Sequence, residues 1–269
     1  MKKYKYKKIM LSICVTLSLS LMLVSCTEDE PPRAEPPDTE AGRLSASAVL
    51  EATEDMGQGY IDGIIFIGES TTYHLKSRGV LRDGKSTKQV WSTSAGTMTL
   101  DGSIADIKIV YPETLEQISI GEAARRKRPE IFVLTFGLNG AVSKAERGEE
   151  YFVSCYMLLI DEIKANSPDS EIIVQACPPV AENMDTSAYR VSVERLNSYI
   201  DTLNGWARNM CAEQGIYYLA SDSVLKNERG YLDLAYQSGD GYHLTAAAYE
   251  KMLYYARTHA ILNLYQEGK

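Results

Sequence analysis

Four short, unbroken apolar runs, separated by stretches of helical character, constrain this chain more than any other feature. They are residues 63–68 (GIIFIG), 130–136 (EIFVLTF), 171–176 (EIIVQA) and 215–220 (GIYYLA). A strand with one wet face alternates apolar and polar residues, whereas a run that is apolar throughout must be covered on both faces. Helices predicted over 113–127, 149–165, 191–213 and from about 245 to 264 supply that cover. Strands alternating with helices imply right-handed crossovers. The expected fold class is therefore α/β, a three-layer α/β/α sandwich around a mostly parallel sheet. In such sheets the working residues gather just past the carboxyl ends of the strands.

The first 43 residues do not join that pattern. Residues 1–8 hold five lysines, and 9–24 form a 16-residue apolar stretch without charge. That stretch falls short of the ~20 residues of a spanning helix, and a basic start before a short apolar core is the pattern of a secretory signal peptide. Leu23-Val24-Ser25-Cys26 resembles a bacterial lipobox. The resemblance implies a signal peptide over 1–25, lipidation of Cys26 and anchoring on the extracytoplasmic face of a bacterial cell membrane; an ordinary secretory signal or an uncleaved anchor is the alternative. Residues 26–43, with four prolines and many acids, have no large apolar side chain to bury and are expected to be a disordered tether. The globular domain is placed at 44–269.

Charge and cysteine usage exclude several classes. The net charge is −8, and without residues 1–25 it deepens to about −13, against the basic footprint that nucleic-acid binding needs. With Cys14 in the signal segment and Cys26 lipidated, Cys155, Cys177 and Cys211 remain. Their odd number and wide spacing argue against a disulfide framework or a zinc site and for small buried thiols. Three scattered histidines show no metal-ligand spacing, so no metal or other cofactor is expected.

Three segments fall just past predicted strands or before the last helix: Gly68-Glu69-Ser70-Thr71-Thr72, Gly137-Leu138-Asn139-Gly140 and Asp240-Gly241-Tyr242-His243. Together they offer a hydroxyl nucleophile, an amide donor, and an imidazole with a carboxylate three residues before it. A serine hydroxyl needs a base to take its proton, and that base works best when a third group fixes its tautomer. Each piece alone is weak, since a serine in such a turn is commonly a helix cap. Their order and their placement at strand ends carry the reading.

These segments resemble the SGNH, or GDSL-like, hydrolase family. FIGEST is similar to its first block and implies Ser70 as nucleophile, while WSTSAGTMTL (91–100) is similar to the second and implies Gly96 as a backbone oxyanion donor. GLNG is similar to the third block, implying the Asn139 side chain as another donor. SGDGYHLT is similar to the last, implying Asp240 as orienter and His243 as base. The resemblance runs from about residue 62 onward. It implies a flavodoxin-like sandwich, a Ser70/Gly96/Asn139 oxyanion hole, and ester hydrolysis through an acyl-enzyme without metal. Glu69 stands where the family usually has Asp, and Gly140 where it has Asp after the asparagine; both are expected to brace loops.

The expected substrates are small O-acyl groups, O-acetyl above all, on a small molecule or polysaccharide. An O-acyltransferase using the same triad and a non-catalytic glycan-binding module are the alternatives. Gly79 to Ser86 matches the P-loop pattern G-x-x-x-x-G-K-[ST], but it follows a predicted helix rather than a strand, so no nucleotide partner is expected. His74, four residues after Ser70, is a rival base without an evident orienter, and His259 reads as structural. Arg125-Arg126-Lys127-Arg128 reads as the cationic end of a helix stopped by Pro129, with contact to an acidic polymer as the other possibility. Tyr73 and Tyr242 flank the candidate site and lean it toward glycans.

Overall fold

A computed structural model of the chain describes residues 48–262 and Leu264. The expected signal segment, Cys14, Cys26 and the tether lie outside the described residues. In chain order come α1 (Gly57–Asp62), β1 (Ile64–Gly68), α2 (Ser70–Arg78), β2 (Val90–Trp91), β3 (Lys108–Val110), β4 (Gln117–Ser119) and α3 (Ile120–Lys127). They are followed by β5 (Ile131–Thr135), α4 (Ala141–Arg147), α5 (Glu149–Asn166), β6 (Glu171–Gln175), α6 (Val193–Gln214), β7 (Tyr217–Leu219) and α7 (Ala246–Arg257).

The main sheet runs β2-β1-β5-β6-β7, every pair parallel. Counted within the sheet this is the 2-1-3-4-5 order of flavodoxin-like folds, whose switch point lies between the first and third strands, here β1 and β5. All five residues of β1 and of β5 are buried, as their unbroken apolar character requires. Ile65, Ile67, Phe132, Leu134, Ile172 and Val174 pack under α3, α5 and α6. Ile64, Phe66, Ile131, Val133 and Ile173 face α1, α2 and α7. The period-2 alternation thus feeds two cores, and each fully buried large apolar side chain contributes about 1.5–3 kcal/mol.

Two helix expectations need correction. The segment predicted as one helix over 113–127 begins in the turn that joins β3 to its antiparallel partner β4, and only Ile120–Lys127 is helical. The turn between the strands closes with Leu115 N–H donating to Tyr111 O at 2.7 Å and puts Leu115 at φ 63°, outside the helical region. The helix then starts at Ser119, whose hydroxyl accepts from Glu122 N–H. The last helix stops at Arg257, short of 264, so His259 lies beyond it, its ring stacked on Tyr255 at 3.7 Å.

The basic run ends α3 as expected. Arg125 and Arg126 pair with Glu122, Arg126 also with Glu116, and Lys127 with Glu113, so much of its charge is already partnered. Cys155, Cys177 and Cys211 are buried and unpaired, and burial pushes the Cys211 thiol up to about 12. No helix among the described residues is long and apolar enough to cross a membrane.

Two glycines test this packing in opposite directions. A Cβ on Gly205, inside α6, would meet nothing within 4 Å. Gly205→Ala is expected to add about 0.5–1 kcal/mol and raise Tm by roughly 1–4 °C. At Gly68 a Cβ would sit 2.4 Å from Thr135 O and 2.3 Å from Thr72 Oγ1. Gly68→Ala is expected to cost about 1–3 kcal/mol, since a sheet carbonyl cannot give way. Thermal denaturation reads both, and an unchanged Tm for Gly68→Ala would mean that β1 and β5 are less tightly apposed than described.

Candidate active site

β1 ends at Gly68, Glu69 occupies the N-cap of α2 in an extended conformation, and Ser70 is the first helical residue. The Ser70 hydroxyl therefore sits half-buried at a helix N-terminus, where the first backbone N–H groups have no acceptor within the helix. Past β5, the loop 136–140 leads into α4. The segment 237–244 leads into α7 and folds back on itself, with Ser238 N–H donating to His243 O at 2.8 Å.

These three segments converge. Ser70 Oγ lies 3.0 Å from His243 Nε2, and His243 Nδ1 lies 2.6 Å from Asp240 Oδ2. An ionised carboxylate can only accept, so Nδ1 carries the proton and Nε2 presents its lone pair to the serine hydroxyl. The D-x-x-H spacing works because Asp240 shapes its own turn: its Oδ1 accepts from the N–H of Tyr242 at 3.1 Å and of His243 at 2.9 Å. Burial acts to raise the Asp240 pKa, but these N–H donors and the imidazole outweigh it and hold the carboxyl below its ordinary value. The orienter is thus kept ionised.

The ring of His243, the expected base, has two others packed near it. Tyr242 packs 4.0 Å from the His243 ring, centroid to centroid, and His74 packs 4.3 Å from it. His74 therefore does reach the site from one turn beyond Ser70, but as a wall against His243; the imidazole bonded to Ser70 Oγ is that of His243. His74 Nδ1 is buried without a hydrogen-bond partner among the described residues. Burial, then the neighbouring His243 and Arg78, lowers its pKa against the pull of Asp240, which favours a neutral ring. A neutral ring suits this position, because a second cation there would oppose the imidazolium that forms when His243 takes a proton.

The expected oxyanion donors fare unequally. Gly96 N–H donates to Thr93 O at 3.0 Å, closing a turn in its own loop. Gly96 needs to be glycine because its φ is +70° and a Cβ would lie 3.0 Å from the Tyr73 ring. The Asn139 Nδ2 group donates to Thr97 Oγ1 at 3.1 Å and to Met98 O at 2.9 Å. Both groups expected as oxyanion donors thus have partners within the chain here. In this structure Gly96 shapes the second loop and Asn139 ties that loop to the third. Of the three, the Ser70 N–H is the one whose place at the head of α2 leaves it available.

Glu69 is the strongest anchor of the site. It is buried, and its carboxylate accepts from the N–H groups of Gly137 at 3.1 Å, Leu138 at 3.1 Å and Asn139 at 3.0 Å. Burial pushes its pKa up, opposed by these three donors and by the Lys144 ammonium. Lys144 is itself buried and donates to Asn139 O. The bracing expected of Glu69 is thus present. At Gly140, the other departure from the family pattern, a Cβ would sit 3.1 Å from Lys144 Nζ.

Sequence reasoning passed over Lys144, and also over two asparagines on α6. Asn197 grips Val180 through its N–H and carbonyl at 2.9 and 3.0 Å. Asn204 does the same to Cys177 at 2.9 and 3.0 Å. Their spacing of one heptad on α6 was the available signal. The P-loop-like stretch begins at Gly79, the left-handed C-cap of α2, and so follows a helix C-terminus rather than preceding an N-terminus. Among the described residues no three His, Cys, Asp or Glu side chains converge as metal ligands would.

The sequence matches the GDSL-like Lipase/Acylhydrolase family over residues 66–251. No curated protein matches the chain. Among solved structures, a DUF4886 family protein from Bacteroides uniformis superposes with a TM-score of 0.51 at 12% identity, covering 73% of this chain and 82% of the other. A lipolytic protein of the G-D-S-L family from Desulfitobacterium hafniense gives 0.49 at 15% identity, covering 73% and 98%. A GDSL-like lipase from Bacteroides thetaiotaomicron gives 0.47 at 17%, covering 70% and 82%.

Removing the Glu69 anchor should be costly. Glu69→Ala strands three N–H groups, each worth about 1–3 kcal/mol when buried and unpaired. It is expected to lower Tm by well over 5 °C and to speed amide hydrogen exchange at residues 137–139. Glu69→Gln, which keeps one acceptor oxygen, should fall between it and the wild type. Equal melting of Glu69→Ala and wild type would show that the loop is held by other contacts.

Proposed function

The chain belongs to the GDSL-like lipase/acylhydrolase family and is a hydrolase of the SGNH type; from that premise we propose that it cleaves small O-acyl esters through an acyl-enzyme on Ser70. The observation that carries this reading is the continuous pair of short contacts from Ser70 Oγ to His243 Nε2 and from His243 Nδ1 to Asp240 Oδ2, 3.0 and 2.6 Å. As the Ser70 oxygen bonds to the acyl carbon, its proton passes to Nε2, and Asp240 steadies the resulting imidazolium. The carbonyl oxygen gains charge at the head of α2, where the Ser70 N–H stabilises it. Asn139 joins only by exchanging one of its bonds to the second loop for one to the oxyanion. His243 then gives that proton to the leaving alcohol. It next takes one from a water whose oxygen bonds to the acyl carbon, and returns it to Ser70 Oγ as the ester bond to the serine breaks and the acid leaves.

The substrates we infer are O-acetyl and similar short acyl groups carried by carbohydrate. The Tyr242 ring, packed beside His243, supports a sugar-bearing ester, as a flat apolar face beside a polar centre suits a pyranose ring. We also propose that the enzyme works on the outer face of a bacterial membrane, held by lipid on Cys26; the lipobox-like Leu23–Cys26 segment is the support.

Hydrolysis of p-nitrophenyl acetate by the purified protein tests the chemistry. Ser70→Ala and His243→Ala are each expected to lose at least about 10³-fold in kcat/KM. Asp240→Asn should lose about 10²–10⁴-fold in kcat with little change in KM, because an amide leaves the imidazole in the wrong tautomer. Turnover surviving in His243→Ala but not in His74→Ala would reverse the assignment of the base. For the anchor, radiolabelled palmitate should be incorporated in bacterial cells by the wild type and not by Cys26→Ser; equal labelling would place the lipid elsewhere.

A further inference from the structure

Beside the base lies a groove that the chemistry above leaves unused. It has a volume of about 650 Å³ and runs between Gly140, which follows Asn139, and Tyr242, which precedes His243; Tyr189, Asp185, Glu146 and Ser143 line it. That volume falls within the ~300–1,000 Å³ of sites that hold small molecules.

The direction of proton transfer says which part of an ester belongs there. His243 Nε2 must hand its proton to the departing alkoxide, so the alcohol part has to lie against that imidazole. Tyr242 packs on the imidazole, 4.0 Å between centroids, and also forms one wall of the groove. Ser70 and His243 do not themselves line the groove; Tyr242 joins it to the imidazole, so an alcohol part that extends past that ring enters the groove, and the lining then describes that alcohol.

The lining is two-sided in character. Tyr189 and Tyr242 offer flat rings that match the C–H faces of a pyranose. Burial pushes the Tyr189 hydroxyl up to about 12 and raises that of Tyr242, so both stay protonated and can donate as well as accept. Asp185 and Glu146 are exposed carboxylates that accept only, and Ser143 can do either. No lining residue is cationic. The Lys144 ammonium lies beneath Gly140, already donating to Asn139 O. A fatty alcohol would gain apolar contact with Val142, Met184 and Ala188 but would strip water from two carboxylates and a hydroxyl without replacing their hydrogen bonds. A uronate, sulfate or phosphate would meet two negative charges and no positive one. An uncharged ring rich in hydroxyls satisfies both the aromatic and the acceptor groups.

We propose that this groove is the alcohol subsite and that it selects esters of uncharged sugars over esters of anionic sugars and of fatty alcohols. The proposal rests on the Ser70 reading and narrows it, assigning Tyr189 as the platform and Asp185 and Glu146 as the groups that read hydroxyls and exclude anions.

Three esters of one acyl group make the test: acetylated methyl glucoside, acetylated methyl galacturonate and octyl acetate, with p-nitrophenyl acetate as the reference for the chemical step. The wild type is expected to favour the glucoside over each of the other two by at least tenfold in kcat/KM. In Tyr189→Ala and Asp185→Asn, the ratio of glucoside to p-nitrophenyl acetate activity should fall about tenfold, through KM more than kcat. Asp185→Lys should move preference toward the galacturonate. Equal use of the three esters by the wild type, or ratios that do not move in the variants, would overturn the subsite while leaving Ser70 chemistry intact.

If no ester is hydrolysed, the Ser70 reading falls instead. The groove is then read by calorimetric titration of the Ser70→Ala protein with the acetylated glucoside. Binding that is weakened by Tyr189→Ala supports the subsite, and absence of binding removes it.

Discussion

The buried Glu69 carboxylate is the interaction on which the site depends. β1 and β5 lie side by side in the sheet, but pairing ends at Gly68 and Thr135, and beyond them the two chains would be free to part. Glu69 bridges that gap by collecting three consecutive N–H groups from the loop after β5. Ser70 follows Glu69 directly, and Asn139 is the last residue it holds. One side chain thereby sets the distance between the candidate nucleophile and the loop opposite it. Placing a carboxylate there costs desolvation, which the three donors and Lys144 offset only in part, so its pKa stays raised. A glutamate reaches farther than an aspartate, so the substitution relative to the family pattern changes the reach of the brace and keeps its chemistry.

The core of the fold was legible because it is buried on both faces. Residues such as Ile64 to Ile67 have no wet side to encode, so their apolar run is the direct imprint of a central parallel strand. The β3–β4 ribbon left no such imprint. Its residues are largely exposed or half-buried, and its turn is decided by the left-handed Leu115, a residue type that signals nothing of the kind. Pro112 and the acid after it instead imitate the start of a helix. Exposed two-stranded ribbons take their stability from what they pack on, and that information lies elsewhere in the chain.

The same division holds at the site. The local settings of Ser70, Asp240 and His243 were legible, a helix head and an i to i+3 turn, while their expected roles came from the order of the motifs. The hydrogen-bond partners of Gly96 and Asn139 were not legible, because which acceptor comes within about 3 Å of an N–H is decided by the folded chain. Gly96 meets Thr93 O, and Asn139 meets Thr97 and Met98. His74 shows both halves of the lesson. Its spacing from Ser70 put it on the right face of α2, while its actual partner, the His243 ring, arrives from a loop almost at the other end of the chain.

The loop that carries the base is fixed by the segment that lines the groove. Gly241 O accepts from Ala181 N–H at 2.7 Å, and a Cβ on Gly241 would stand 2.6 Å from the Met184 Cβ. Met184 is also a groove residue, and Asn197 pins Val180 at the start of the same segment. A sugar seated on Tyr189 and Asp185 would therefore press on the support that sets where His243 stands. A misplacement of about 1 Å in the reacting geometry can cost about 10²-fold in rate. Filling the groove correctly would thus steady the imidazole at the moment it is needed, so contacts made by the non-reacting part of the ester would reach the chemical step as well as binding.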